Sequence, residues 1–219
     1  MLRWLPEDVS TYGGEIDFLF YIIYYITGAA FIIVTVLMIV FLIMYRQREG
    51  RRATYTHGNT ALEITWTVIP AVILVVLSFM SVSTWGKVKA HAPPSDFEVH
   101  VTAKQFNWEI LYPGADGKLG TADDVLIEND MHVPVNKVVR IILKSKDVIH
   151  SFFVPNLRLK QDAVPGRDIL VWFEATKPGK YELPCAELCG FGHSGMKGWL
   201  YVDTPEEYEK WLKETSSKS

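Results

Sequence analysis

Two long stretches of the chain carry no charge. Phe18 to Tyr45 and Ile64 to Gly86 run unbroken through apolar and uncharged polar residues. At about 1.5 Å per residue, helices of roughly 28 and 23 residues reach about 42 and 34 Å, enough to cross a ~30 Å hydrocarbon core. Buried core helices seldom stay apolar for so long. The first run is also too long for a signal-peptide core, and it follows Glu15 and Asp17 rather than basic residues. Pro70 lies near the start of the second run, where a missing backbone donor costs least. The connection between the runs carries Arg46, Arg48, Arg51 and Arg52, against Arg3, Lys87 and Lys89 on the outer flanks. That bias puts the connection in the cytoplasm and both termini outside. Trp4, Tyr12 and Trp85 fall near the membrane ends, where amphipathic rings prefer the interface.

After Gly86 the pattern changes. Lys87–Asp96, with Pro93 and Pro94, reads as a linker. Phe97–Val101 alternates, Lys137–Leu143 and Ile169–Phe173 are β-branched or aromatic, and Trp199–Val202 is a further strand. Thr204, Pro205 and Glu207 form a helix-start signature, followed by a short helix to about Lys213 and a fraying tail. The predicted fold is a two-helix transmembrane hairpin followed by an all-β sandwich or barrel of about seven strands. Its predicted parts are an outer N-terminal segment (1–17), the hairpin (18–86, helices 18–45 and 64–86, cytoplasmic loop 46–63), the linker (87–96), the β domain (97–204), and a C-terminal helix and tail (205–219). Gly114–Asp124 is an acidic, glycine-rich insert. It reads as a solvated hairpin, because Asp116, Asp123 and Asp124 lack the bidentate Glu of a calcium-binding loop.

Composition narrows the function. The net charge of −3 over 219 residues excludes a strongly basic nucleic-acid binder. Two cysteines cannot form a disulfide framework, a four-cysteine zinc site or an all-cysteine iron–sulfur cluster.

Those cysteines sit in one loop, Tyr181–Gly198, with sequence YELPCAELCGFGHSGMKG. Cys185, Cys189, His193 and Met196 have near-helical spacing, but Pro184 and the glycines at 190, 192, 195 and 198 oppose a helix. A tight loop can aim the same side chains at one point. Thiolate, imidazole and thioether together favour copper over magnesium or calcium. His150, from an earlier strand, supplies a second imidazole. Two thiolates can bridge two copper ions, each with one histidine, while Met196 and the Glu187 carbonyl serve as weak axial ligands. Two other readings fit parts of the set. A Cys185–Cys189 disulfide leaves His193 and Met196 unexplained, and a Cys₂His₂ zinc site needs no methionine and has no electron to pass on.

Cys-x-Glu-x-Cys-x₃-His-x₂-Met, the segment from Asp147 to Arg167 around His150, and the two preceding spans together resemble subunit II of cytochrome c oxidases, over nearly the whole chain. The resemblance implies a cupredoxin domain with a dinuclear copper centre. That centre would take electrons from cytochrome c or another donor protein or complex and pass them to haem in subunit I, where oxygen is reduced to water with proton pumping. It also implies other oxidase subunits as partners and a bacterial respiratory membrane, with the copper domain and both termini on the outer face. By the same resemblance the Glu187 side chain contributes to a magnesium site shared with subunit I, and Glu63 stands at the cytoplasmic mouth of a proton channel. Its alternative reading is a charge at a helix start. One motif departs from the family. Gln105-Phe106-Asn107-Trp108 stands where Gln-Trp-x-Trp is usual, so Phe106 replaces the tryptophan that accepts electrons, and Trp108 remains. Other readings of the chain are a copper electron-transfer subunit of a nitric oxide reductase and a membrane-anchored copper-binding or assembly protein.

Overall fold

A computed structural model describes residues 4–90, 92–95, 97–114 and 116–217. Arg3 of the outer flank, Asp96 of the linker, Ala115 of the insert, and Lys218 and Ser219 of the tail lie outside the described residues. The chain divides into two units, Glu15–Gly86 and the combination of Met1–Gly14 with Lys87–Ser219.

The first unit holds the two apolar helices. Helix α1 (Gly13–Met44) and helix α2 (Thr60–Trp85) both begin ahead of their uncharged runs. The reason is capping. Asn59 Oδ1 accepts from the backbone N–H groups of Ala61 and Leu62 at 3.1 and 3.2 Å, and Glu63 lies in the first turn, where a carboxylate meets the positive end of the helix dipole. In α1, Glu15 likewise lies in the first turn. Helix α2 runs through Pro70, and the hydroxyls of Thr65 and Thr67 donate back to the carbonyls of Ala61 and Glu63. Large apolar side chains are exposed along both helices. A helix that is apolar on every side calls for an apolar solvent, and both helices are long enough to cross a bilayer.

The second unit is a β domain with ten strands among the described residues rather than about seven: β1 (Glu98–Lys104), β2 (Asn107–Tyr112), β3 (Val125–Glu128), β4 (Asp130–Pro134), β5 (Val138–Ser145), β6 (His150–Val154), β7 (Leu159–Ala163), β8 (Ile169–Glu174), β9 (Gly179–Pro184) and β10 (Lys197–Asp203). One sheet has the order β3-β2-β1-β5-β8, a second β4-β10-β9, and β6–β7 is a hairpin. Pairing is antiparallel except at β1–β5 and β4–β10, which are parallel. Period-2 burial fills the core: Val99, Val101 and Ala103 from β1, Ile141 and Leu143 from β5, Leu200 and Val202 from β10.

Two of the extra strands, β3 and β4, follow each other directly: at Glu128-Asn129-Asp130 the chain turns, Asn129 takes a left-handed φ of 67°, and the two strands go to different sheets. The bend is fixed on three sides. Asn129 N–H donates to the Trp108 carbonyl at 2.8 Å, its Oδ1 accepts from Trp108 N–H at 3.0 Å, and its carbonyl accepts from Trp199 N–H at 2.9 Å. The backbone there passes so close to Gly198 that a Cβ on that glycine would fall 2.0 Å from the Asn129 oxygen.

Both ends of the unit differ from their predicted forms. Residues of the expected outer N-terminal segment are strapped to the β domain. Val9 N–H donates to the Asn156 carbonyl at 2.9 Å, Thr176 N–H donates to the Val9 carbonyl at 2.8 Å, and Arg158 Nη2 reaches the Pro6 carbonyl at 2.7 Å. Tyr12 is buried edge-on against Trp172, their ring centroids 5.3 Å apart. Burial, and then the charge of Asp8, push its phenol well above the usual range. The expected linker is likewise anchored: Gly86–Ala90 forms a π-helical turn, Val88 is buried, and Lys89 Nζ donates to Gln161 Oε1 at 2.8 Å.

The insert is a hairpin loop between antiparallel β2 and β3. Its carboxylates tie the loop to itself: Asp116 Oδ1 accepts from Lys118 N–H and Asp124 Oδ2 from Gly120 N–H. Helix α3 (Pro205–Ser216) carries the expected capping box of Thr204 and Glu207 and runs beyond Lys213. Its Trp211 packs on Tyr112 and on His132.

Candidate metal centre

Three segments supply the site. The first is the start of β6, which carries His150. That histidine is fully buried because β6 turns inward beneath the loop that follows β9. An isolated bridge between Phe152 and Cys185 joins the two pieces of backbone, and Ala186 N–H donates to the Ser151 carbonyl at 3.0 Å. The second is the loop from Cys185 to Met196, closed on itself by the N–H of Cys185 donating to the Met196 carbonyl at 3.0 Å. The third is Gln105–Phe106, between β1 and β2, which lies across the loop glycines.

The donor atoms converge. Cys185 Sγ lies 3.9 Å from Cys189 Sγ and 4.0 Å from His150 Nδ1. Cys189 Sγ lies 3.6 Å from His193 Nδ1 and 3.7 Å from Met196 Sδ. The carbonyl oxygen of Glu187 is 3.2 Å from Cys185 Sγ. Each sulfur therefore faces a different imidazole. Cys185, Cys189, Met196 and His150 are buried, while His193 is partly exposed. Among the described residues, the ligand atoms of His150, Cys185 and Cys189 all lie within 4.8 Å of one another. Two free, buried thiols beside two imidazoles and a thioether form a soft donor set, which fits copper. Burial, and then the neighbouring Cys185, push the Cys189 thiol up to about 11, so a metal cation must displace its proton.

Asp147 plays a part that the sequence analysis did not assign. Its Oδ1 lies 2.7 Å from His150 Nε2 and 2.7 Å from Val148 N, while Oδ2 accepts from Gln105 N–H at 2.7 Å. Burial raises its pKa, but these hydrogen bonds outweigh burial and hold the carboxyl below its ordinary value. A carboxylate accepting at Nε2 leaves Nδ1 free to face the thiols. The signal was an aspartate three residues before a candidate histidine.

The remaining candidates are more dispersed. The Glu187 side chain is exposed. Phe106 is 39% exposed, its ring against Gly190 and Gly192, whereas Trp108 is fully buried, with its ring edge-on to His150 and Phe152. Glu63 belongs to the helical unit, with its carboxylate over Gly58. Two exposed apolar residues that sequence reasoning passed over, Leu188 and Phe191, flank Cys189. Their only signal was their place in an otherwise polar, glycine-rich loop.

Comparison with known proteins is consistent across the chain. Residues 97–200 match the family described as cytochrome c oxidase subunit II, periplasmic domain, and residues 5–84 match its transmembrane domain. The alternative cytochrome c oxidase subunit 2 of Bradyrhizobium diazoefficiens is 32% identical, over 96% of this chain and 84% of that protein. Cytochrome c oxidase subunit 2 of Thermostichus vulcanus is 32% identical, over 97% and 79%. The solved periplasmic domain of subunit II of cytochrome oxidase from Bradyrhizobium japonicum superposes with a TM-score of 0.53 at 33% identity, over 58% of this chain and 99% of that one.

Proposed function

Because the chain belongs to the family of cytochrome c oxidase subunit II, the membrane-anchored, electron-accepting subunit of a haem–copper oxidase, we propose that His150, Cys185, Cys189, His193, Met196 and the Glu187 carbonyl hold two copper ions. The observation that carries this reading is the pair of thiols 3.9 Å apart, each with its own imidazole within 4.0 Å. Bound there, copper supplies a one-electron redox change without making or breaking substrate bonds. The protein's share is to exclude water, hold two thiols deprotonated against one metal pair, and fix both imidazoles, so that little moves when charge arrives. Family membership favours the oxidase over the nitric oxide reductase and copper-carrier readings.

Electrons leave this chain for haem in another oxidase subunit. Their source, in this proposal, is cytochrome c or an equivalent carrier docking on the apolar face of Phe106, Leu188 and Phe191. The exposed Glu187 carboxylate is suited to a magnesium ion shared with subunit I. The strap of residues 6–12 on the β domain supports a topology with the N-terminus and the copper domain on one side of the membrane, the outer face by the arginine bias of the connection.

The reading is tested by loading the full-length chain with copper in detergent. Electron paramagnetic resonance is expected to show one electron shared by two coppers, and a single-copper spectrum overturns it. Phe106→Trp is expected to preserve reduction of the centre by cytochrome c. Phe106→Ala is expected to slow it about tenfold through lost apolar docking area, read by stopped flow at several ionic strengths. Glu63→Gln is expected to slow turnover of the assembled oxidase while leaving reduction of copper unchanged. Equal turnover across the pH range would leave Glu63 as the first-turn charge of α2 alone.

A further inference from the structure

The two halves of the centre come from distant parts of the chain, and Gln105 bonds to both. Its backbone N–H donates to Asp147 Oδ2 at 2.7 Å, and the other oxygen of that carboxylate holds His150 Nε2 at 2.7 Å. Its side-chain amide donates to the Cys189 carbonyl at 2.5 Å. The metal loop is shaped to admit this residue. A Cβ on Gly190 would come within 2.7 Å of Gln105 Nε2, and one on Gly192 within 2.5 Å of the Phe106 ring. Gly190 also has a φ of 133°, which L side chains rarely adopt.

We infer that Gln105 is a positioning residue for the metal centre, fixing the separation between the His150 imidazole and the Cys189 thiol. The inference rests on the copper reading above and extends it to a residue that touches no metal. The loop between Cys189 and Met196 has only a single 3₁₀ turn, so few of its own backbone bonds fix the peptide that carries the Cys189 side chain. An amide hydrogen bond to that peptide's oxygen sets its orientation. The Asp147 arm does the same for the imidazole and also fixes its tautomer. Because both arms start from one residue beside Phe106, a displacement of the apolar docking face is passed to both ligands.

The arms can be separated by mutation. Gln105→Leu keeps the backbone N–H and removes only the bond to Cys189. Gln105→Glu keeps the size but replaces a donor with an acceptor. Asp147→Asn disturbs only the His150 arm. In the full-length, copper-loaded chain, Gln105→Leu and Gln105→Glu are expected to retain two coppers, to change the hyperfine pattern and midpoint potential, and to release copper to a chelator about fivefold faster. Adding Asp147→Asn should give less than the product of the separate effects, because both arms hold one distance. Without metal, Cys189 in the Gln105 variants should be alkylated faster than in the wild type, a readout independent of copper. Wild-type hyperfine pattern, potential and alkylation rate in either Gln105 variant overturn the inference. Should Gln105→Leu fail to fold, Gln105→Glu decides alone, since a carboxylate cannot donate to the Cys189 oxygen. A wild-type chain that takes up no copper refutes the copper reading itself and takes the inference with it.

Discussion

Cys185→Ser is expected to abolish the shared-electron signal and to lower copper affinity by more than about 100-fold, a loss beyond that typical of residues behind the ligands. Cys185 Sγ stands between His150 Nδ1, Cys189 Sγ and the Glu187 carbonyl, so a pair of copper ions held by both thiols would lose one of its two shared donors. A serine oxygen is a hard donor, and its proton leaves far less readily than a thiol proton. The pH dependence should change as well. In the wild type both thiols lose protons as metal binds, so uptake strengthens as pH rises. The Cys189 thiol is pushed up to about 11 by burial and then by Cys185. Without Cys185 its pKa should fall, and metal binding should release about one proton fewer. Metal analysis, paramagnetic resonance and proton release measured on the same samples check all three outcomes. A bridged spectrum in Cys185→Ser would show that this sulfur is not a ligand.

Trp108→Ala is expected to destabilise the β domain by about 3–5 kcal/mol, lowering the thermal midpoint of the full chain by roughly 10 °C. Trp108 is fully buried, with its ring 5.7 Å from Phe152 and 6.3 Å from His150, so truncation opens a cavity directly behind a proposed metal ligand. Among the described residues its indole N–H has no hydrogen-bond partner. Trp108→Phe therefore sacrifices volume but no hydrogen bond and should cost much less, about 1–2 kcal/mol. Thermal unfolding in detergent separates the two variants. Comparable losses would mean that the indole nitrogen, not ring volume, is what the core depends on. Its depth also makes Trp108 a poor first contact for a carrier, which leaves Phe106 as the exposed aromatic of the pair.

The convergence of Cys185, Cys189, His193 and Met196 was legible because it is local: all four lie within one short segment whose glycines announce a tight turn. His150 was found by the need for a second imidazole. The helix pair was legible from length and lack of charge, and α3 from its capping residues. What escaped were features that exist only once distant segments meet. Glu128-Asn129-Asp130 hints at a turn, but not at a change of sheet, because the bonds that hold the corner come from Trp108 and Trp199. Gln105 reads as the polar start of an aromatic motif until the Cys189 carbonyl is beside it. The binding of Val9 by Asn156 and Thr176 depends on an open edge that no window of sequence contains.

That N-terminal strap constrains how the protein is made. Its partners, Asn156, Arg158 and Thr176, are synthesised long after it, and two apolar helices intervene. Residues 6–12 must therefore reach the side on which the β domain will fold and wait there unpaired. The edge of β8 and the buried site of Tyr12 are completed only when the early segment docks back. Contacts of such large sequence separation form late, after the loop-closure entropy has been overcome. A chain whose early segment ended on the opposite side from the β domain would leave that edge open, and a protease directed at residues 4–12 should cut chains with the strap undocked faster than those with it in place.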